Sequence, residues 1–90
     1  MRFEWNVEKS EQNLKKHKVS FDEAKTVFSD PLFVIFADPD HSLEDNRFIV
    51  MGESDQNRLL IVSYTERPTT RLISARKATR KERKKYEEDI

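Results

Sequence analysis

Ninety residues fit one domain and leave no room for two independent cores. Only 36% of them are hydrophobic and 38% are charged, so the core is small; zero formal net charge and periodic apolar segments nevertheless argue for a folded chain. The absence of cysteine excludes disulfides and zinc-thiolate sites, a single glycine excludes a Gly-rich phosphate loop, and no apolar run approaches the ~18 residues of a membrane span.

Phe3-Glu4-Trp5 alternates apolar and polar residues and predicts a short strand. Asn6 is a suitable N-cap for a helix from Val7 to about Lys16 or His17, whose apolar stripe amounts to little more than Val7 and Leu14. Ser20-Phe21-Asp22-Glu23 has capping-box spacing and opens a second helix to about Phe28, with Phe21, Ala24, Val27 and Phe28 on one face. Pro31 ends it.

Leu32 to Ala37 is a continuous apolar run and predicts a strand. The acidic segment from Asp38 to Asp45 then has to be a surface loop. Asn46 to Gly52 is the next strand, Ser54 to Asn57 supply a hairpin turn, and Arg58 to Thr65 follow. After a turn at Arg67-Pro68-Thr69, Thr70 to Lys77 form the last strand. Thr79-Arg80-Lys81-Glu82 is a second capping box, opening a terminal helix to about Glu88. The order is βααββββα, an α+β fold with sequence neighbours paired antiparallel.

Strict alternation places Arg71, Ile73, Ala75 and Lys77 on one side of the last strand and Leu72, Ser74 and Arg76 on the other. On the strand before it, Leu59, Ile61, Ser63 and Thr65 oppose Leu60, Val62 and Tyr64. Helices are expected to cover one face, leaving the other for arginine and tyrosine to meet a ligand.

The zero net charge hides an asymmetry. Residues 1–57 hold 7 basic and 12 acidic side chains, whereas residues 58–90 hold 10 and 5. Between Arg67 and Lys85 stand nine cations and a single acid, Glu82. Such a segment attracts phosphate or carboxylate, so the expected partner is RNA, an acidic protein, or each in turn. Asp38, Asp40, His41, Glu44 and Asp45 are metal-ligand types in one loop, but their spacing fits no cation loop and lacks the turn glycine of an EF-hand. No metal and no cofactor are expected.

The basic face carries Arg67, Arg71, Arg76, Arg80 and Arg83, with Tyr64 and Tyr86 near in sequence. Arginine grips phosphate through two parallel hydrogen bonds and aromatic rings stack on bases, which suits single-stranded RNA. RNA can be cut without a metal when its own 2′-OH attacks the adjacent phosphorus. A base then takes the proton, cations stabilise the phosphorane and an acid protonates the leaving oxygen. His17, flanked by Lys15, Lys16 and Lys18, is a candidate for the proton-transfer role. The same histidine and lysines also complement the dipole at a helix C-terminus, and both readings stay open on spacing.

Phe3 to Asn6, Asn13 to Ala24, Asp38 to Ser42, and Arg71 to Thr79 with Glu82 and Tyr86 follow in the order of the motifs of BrnT toxins of type II toxin-antitoxin modules, which this chain resembles. The segment Ile73-Ser74-Ala75-Arg76 is the most specific part. The resemblance implies a RelE-like ribonuclease: a small antiparallel sheet with two N-terminal helices and one C-terminal helix, cleaving RNA and arresting translation. It implies as partner a BrnA-like ribbon-helix-helix antitoxin, with operator DNA engaged only through that antitoxin. Two positions depart from the family pattern, Lys18 where glycine is common and Asn6 where aspartate is common. The asparagine still caps a helix, whereas the lysine would have to occupy a left-handed helix C-terminus.

On this reading Lys16 and His17 transfer protons or contact phosphate, Arg67 and Arg76 stabilise the phosphorane, and Tyr86 stacks or positions. Arg71, Lys77, Arg80 and Arg83 bind the rest of the RNA. A non-catalytic RNA-binding module and a pure interaction domain with the same basic face are the rivals. With no signal-peptide core at the amino terminus, a single cytoplasmic domain with no membrane partner is expected.

Overall fold

A computed structural model of the chain describes residues 2–39 and 46–88. The elements run β1 (Phe3–Glu4), α1 (Val7–His17), α2 (Phe21–Ala24) continued by a 3-10 turn (Lys25–Ser29), β2 (Val34–Ala37), β3 (Arg47–Glu53), β4 (Leu59–Glu66), β5 (Thr70–Lys77) and α3 (Arg80–Glu88). The sheet order is β1-β5-β4-β3-β2. Strands β2 to β5 form the expected antiparallel meander, and β1 joins its far side parallel to β5, so the sheet is mixed. No helix among the described residues is long and apolar enough to cross a membrane. Of the acidic loop, Asp40, His41, Glu44 and Asp45 lie outside the described residues.

The caps form as their chemistry dictates. The Asn6 side chain accepts from the Lys9 N–H at 3.1 Å. Around α3 the box is reciprocal: Glu82 N–H donates to Thr79 Oγ1 at 3.2 Å, and Thr79 N–H donates to Glu82 Oε1 at 2.8 Å. At α2 it is only half made. Ser20 Oγ accepts from the Glu23 N–H at 3.0 Å, but the Glu23 carboxylate turns inward to Ser54 Oγ, at 2.7 Å, and to Arg58. After one turn the helix tightens into the 3-10 segment, shorter in α-helix than the spacing predicts, because Val27 has to pass directly over β3. Gly52 permits that approach: a Cβ there would lie 3.0 Å from the Val27 carbonyl oxygen and 3.3 Å from Phe33 Cβ.

Helices α1 and α2 cover one face of the sheet over Val50, Leu60, Val62, Tyr64, Leu72 and Ala75. Phe28 and Phe48 pack against Tyr64 at ring distances of 5.1 and 5.9 Å. Tyr64 is therefore core, 2% exposed, and burial pushes its hydroxyl pKa up to about 12. It cannot stack on a ligand, contrary to the expectation for the open face. The opposite face holds a smaller cluster of Met51, Leu59, Ile61 and Tyr86, the last reaching down from α3.

Strict alternation on β5 fails at one residue. Ser63 pairs with Ser74 but Tyr64 pairs with Leu72, which leaves Ile73 as an extra residue. This bulge switches the phase, so Leu72 and Ala75 both enter the helix-covered core, while Arg71, Ser74 and Arg76 share the other face.

Helix α1 is not held by its apolar pair, since Val7 is 66% and Leu14 49% exposed. A buried amide holds it instead. Strand β1 pairs only with Thr70 and Arg71, so farther along β5 the sheet edge is open. There Asn13 acts as a one-residue strand: its Nδ2 donates to the Ala75 carbonyl at 2.8 Å and its Oδ1 accepts from the Ala75 N–H at 3.1 Å. Nδ2 also donates to the Val19 carbonyl at 2.8 Å. Replacing Asn13 with Ala strands these buried groups and is expected to cost about 2–4 kcal/mol. Thermal unfolding should show a melting temperature lower by more than about 10 °C at this chain length.

Lys18 takes the left-handed conformation expected of it, φ 62° and ψ 28°, and its N–H closes α1 on the Leu14 carbonyl at 2.9 Å. Lys18→Gly removes the strain of a Cβ in that region and is expected to stabilise by about 1 kcal/mol, read as a melting temperature raised by a few degrees. The Lys18 carbonyl, which accepts from Arg58 at 3.0 Å, is untouched by the change.

Candidate active site

Asn13 and His17 are four residues apart and share one face of α1. Because Asn13 bonds the backbone of Ala75, His17 is carried to the stretch of β5 that contains Ser74 and Arg76. These residues line an open cavity of about 350 Å³ together with Asp38, Arg47, Ile49, Ile61 and Ser63. Ser63 and Ser74 are opposed across β4 and β5 and bring two hydroxyls to it. It opens on the sheet face that α1 and α2 leave bare, beside the residues covered by α3.

Arg76 is held on a fixed support. Its two terminal nitrogens donate to the two Glu82 oxygens at 2.8 and 2.9 Å, while Glu82 stays tied to the Thr79 N–H that caps α3. The hydrogen bonds from Arg76, and after them the Thr79 contacts, outweigh burial and hold the Glu82 carboxyl at a pKa of about 2. The fork thus persists as an ion pair at every pH near neutrality. On another wall Asp38, 4% exposed, accepts from Arg47 Nε at 3.3 Å.

Two of the residues singled out from sequence, His17 and Arg76, both line this cavity. Lys16 lines an adjoining cleft of about 280 Å³ that shares His17 and Ser74 with it. Arg71 stands on the same sheet face in a loose ion pair with Glu4, 3.8 Å apart. Arg67 is exposed in the β4–β5 turn, Lys77 at the end of β5, and Arg80 and Arg83 on α3; none of the four lines the cavity.

Tyr86 lies elsewhere. Its hydroxyl donates to Asp30 Oδ2 at 2.5 Å, in an acidic cleft with Glu53 and Asp55. Burial first, and then the bond to Asp30, push its pKa up to about 12. This contact docks α3 on the body of the protein.

Sequence reasoning missed Arg47, Asp38, Ser63 and Ser74 as site residues. Arg47 had one available signal: between Lys25 and Arg58 it is the sole basic residue. Asp38 read as turn chemistry, and pairing between β2 and β3 is what carries it to Arg47.

The family model for the ribonuclease toxin BrnT of type II toxin-antitoxin systems matches residues 5–82. The chain belongs to the BrnT family. Among solved structures it is similar to the Brucella abortus ribonuclease toxin BrnT, with a TM-score of 0.69, 20% identity, and coverage of 89% of this chain and 99% of that one. That likeness speaks for the fold. No curated protein sequence matches. The BrnT match spans α1, which carries His17, and reaches Glu82 on α3, so the cavity lies wholly within it.

Proposed function

We propose that this BrnT-family chain is a metal-independent endoribonuclease that arrests translation from the cytoplasm and is neutralised by a BrnA-like ribbon-helix-helix antitoxin. The observation that carries the reading is that His17 and a carboxylate-anchored Arg76 line one cavity with two serines. His17 takes the proton of the ribose 2′-OH, the 2′-oxygen attacks phosphorus, and the bond to the 5′-oxygen breaks. A 2′,3′-cyclic phosphate and a 5′-OH end result. Arg76 faces the charge that builds on the phosphorane, which is where a preorganised cation lowers the barrier most.

Lys16, in the adjoining cleft, contacts a neighbouring phosphate or delivers the proton to the leaving oxygen. Arg67, Arg71, Lys77, Arg80 and Arg83 extend a cationic track for the rest of the strand, giving affinity without base readout. Tyr86 acts by position, keeping α3 and with it Glu82 in place.

A protein partner has both charge and apolar surface to use. Acidic residues of an antitoxin would meet the β5–α3 cations, and Leu32, Ile35 and Phe36, each more than 40% exposed, offer anchors. Operator DNA would be engaged through the antitoxin alone.

Expression alone and together with the antitoxin gene tests the reading. Alone, the chain should stop growth and protein synthesis; co-expression should restore both. Unimpaired growth with soluble, folded chain would refute it.

A further inference from the structure

Arg76 is one of two arginines in the cavity, and the second is built in the same way. Arg47 opens β3, and Asp38 follows β2 directly across from it; the Asp38 N–H donates to the Arg47 carbonyl at 3.4 Å. The Asp38 side chain is 6% exposed and the Arg47 side chain 19%. Removing a carboxylate from water to that extent is unfavourable unless a cation compensates it, and β2 otherwise consists of the uncharged residues Val34 to Ala37. A core needs no acid here. An acid that accepts from Nε, at the inner edge of a guanidinium, helps to orient that side chain.

Strand register sets the relation between the two arginines. On the open face Arg47 pairs with Thr65, Ile49 with Ser63 and through it with Ser74, and Ile61 with Arg76. The serine row is thus the middle one, with an arginine row on either side. Rows two residues apart are separated by about 7 Å along a strand, so the arginines start from positions roughly 13 Å apart in that direction. Long side chains anchored at those two points line one cavity together with the serines of the row between them.

We propose that Arg47 is a second catalytic cation, oriented by Asp38, and that it and Arg76 clamp the scissile phosphate of single-stranded RNA from two sides above Ser63 and Ser74. This rests on the ribonuclease reading and adds a residue and a positioning partner to it. Two forked guanidiniums complement a phosphorane whose charge is spread over its equatorial oxygens, which one arginine covers on one side only.

Cleavage of a short single-stranded RNA in EDTA, under single-turnover conditions, tests this with wild type, Arg47→Ala, Arg47→Lys, Asp38→Asn and the Asp38→Asn/Arg47→Ala double variant. Arg47→Ala should lower the rate at saturating enzyme by on the order of 10²-fold. Added guanidinium ion should recover part of it, a response that a merely structural role would not give. Arg47→Lys should stay well below wild type because an ammonium does not fork. Asp38→Asn should lower the rate by about tenfold, and the double variant should be no slower than Arg47→Ala, since Asp38 acts through Arg47.

Folded Arg47→Ala cleaving within twofold of wild type would overturn the proposal. So would multiplying effects in the double variant, or a defect confined to RNA affinity, which would place Arg47 on a neighbouring phosphate. If Arg47→Ala fails to fold, Arg47→Lys decides, and wild-type rate in that variant overturns the clamp. A wild type that leaves RNA intact removes the ribonuclease reading itself, whereas an active wild type with an active Arg47→Ala removes only the clamp.

Discussion

Arg76→Ala should lower RNA cleavage by on the order of 10² to 10³-fold while leaving the protein folded. The size follows from the role: the guanidinium faces charge that grows in the transition state, so its loss falls mainly on the chemical step. Retention of the fold follows from the site. The Arg76 and Glu82 side chains are 42% and 31% exposed, and an ion pair so open to water contributes no more than about 1 kcal/mol. The α3 cap survives, because Thr79 and Glu82 still bond one another. Arg76→Lys keeps the charge but cannot hold both Glu82 oxygens, so it should recover only a small part of the activity. Circular dichroism and melting curves measured beside the cleavage rates separate the two effects.

Glu23→Ala should unfold a large fraction of the protein. The Glu23 side chain is 2% exposed and ties together three distant segments: the start of α2, the Ser54 turn, and Arg58, which reaches on to the Lys18 carbonyl. Breaking such a pair leaves a guanidinium without its counter-ion and costs about 3–5 kcal/mol, against a total of about 5–15 kcal/mol for a small domain. Glu23→Leu with Arg58→Met removes both charges and should recover much of the loss. Acid should mimic the single change. The bonds from Arg58 lead in holding the Glu23 pKa below 4.5, and Glu82 is held at about 2 in the same sense. Both carboxylates are depressed in the folded state, so their stabilisation is complete above 4.5 and is lost as pH falls through the folded values. The double variant should therefore lose stability less steeply below pH 4.5 than wild type does, as acid titration monitored by circular dichroism would show.

Local chemistry made much of the fold legible in the sequence. Asn6, Ser20 and Thr79 cap helices because short polar side chains beside apolar periodicity have few other uses, and the alternation of Leu60, Val62 and Tyr64 points into the core. What escaped depends on contacts between remote segments. The bulge at Ile73 leaves no mark on composition, yet it decides that Arg71, Ser74 and Arg76 share a face. Val7 and Leu14 looked like the packing stripe of α1 because apolar residues are the usual anchors; Asn13 does that work through sheet-edge hydrogen bonds that no periodicity records. His17 and Arg76 stood out through charge and family pattern. Arg47 did not, and Asp38, although it opens one of the family motifs, read as turn chemistry, since the meaning of the two arises only when β2 and β3 pair. Tyr86 was expected to stack or position in the same site as Arg76, whereas its hydroxyl serves a different cleft, on Asp30.

The identity of the new RNA ends tests the central claim most directly. Purified chain incubated with single-stranded RNA in EDTA should yield 5′-OH ends and 2′,3′-cyclic phosphates, because attack by the substrate's own 2′-oxygen allows no other first product. An RNA carrying a 2′-deoxy sugar at the cleaved position should resist. Ends bearing 5′-phosphate and 3′-OH, or equal cleavage of the 2′-deoxy substrate, would mean that water is the nucleophile and would contradict the assignment of His17 and Arg76.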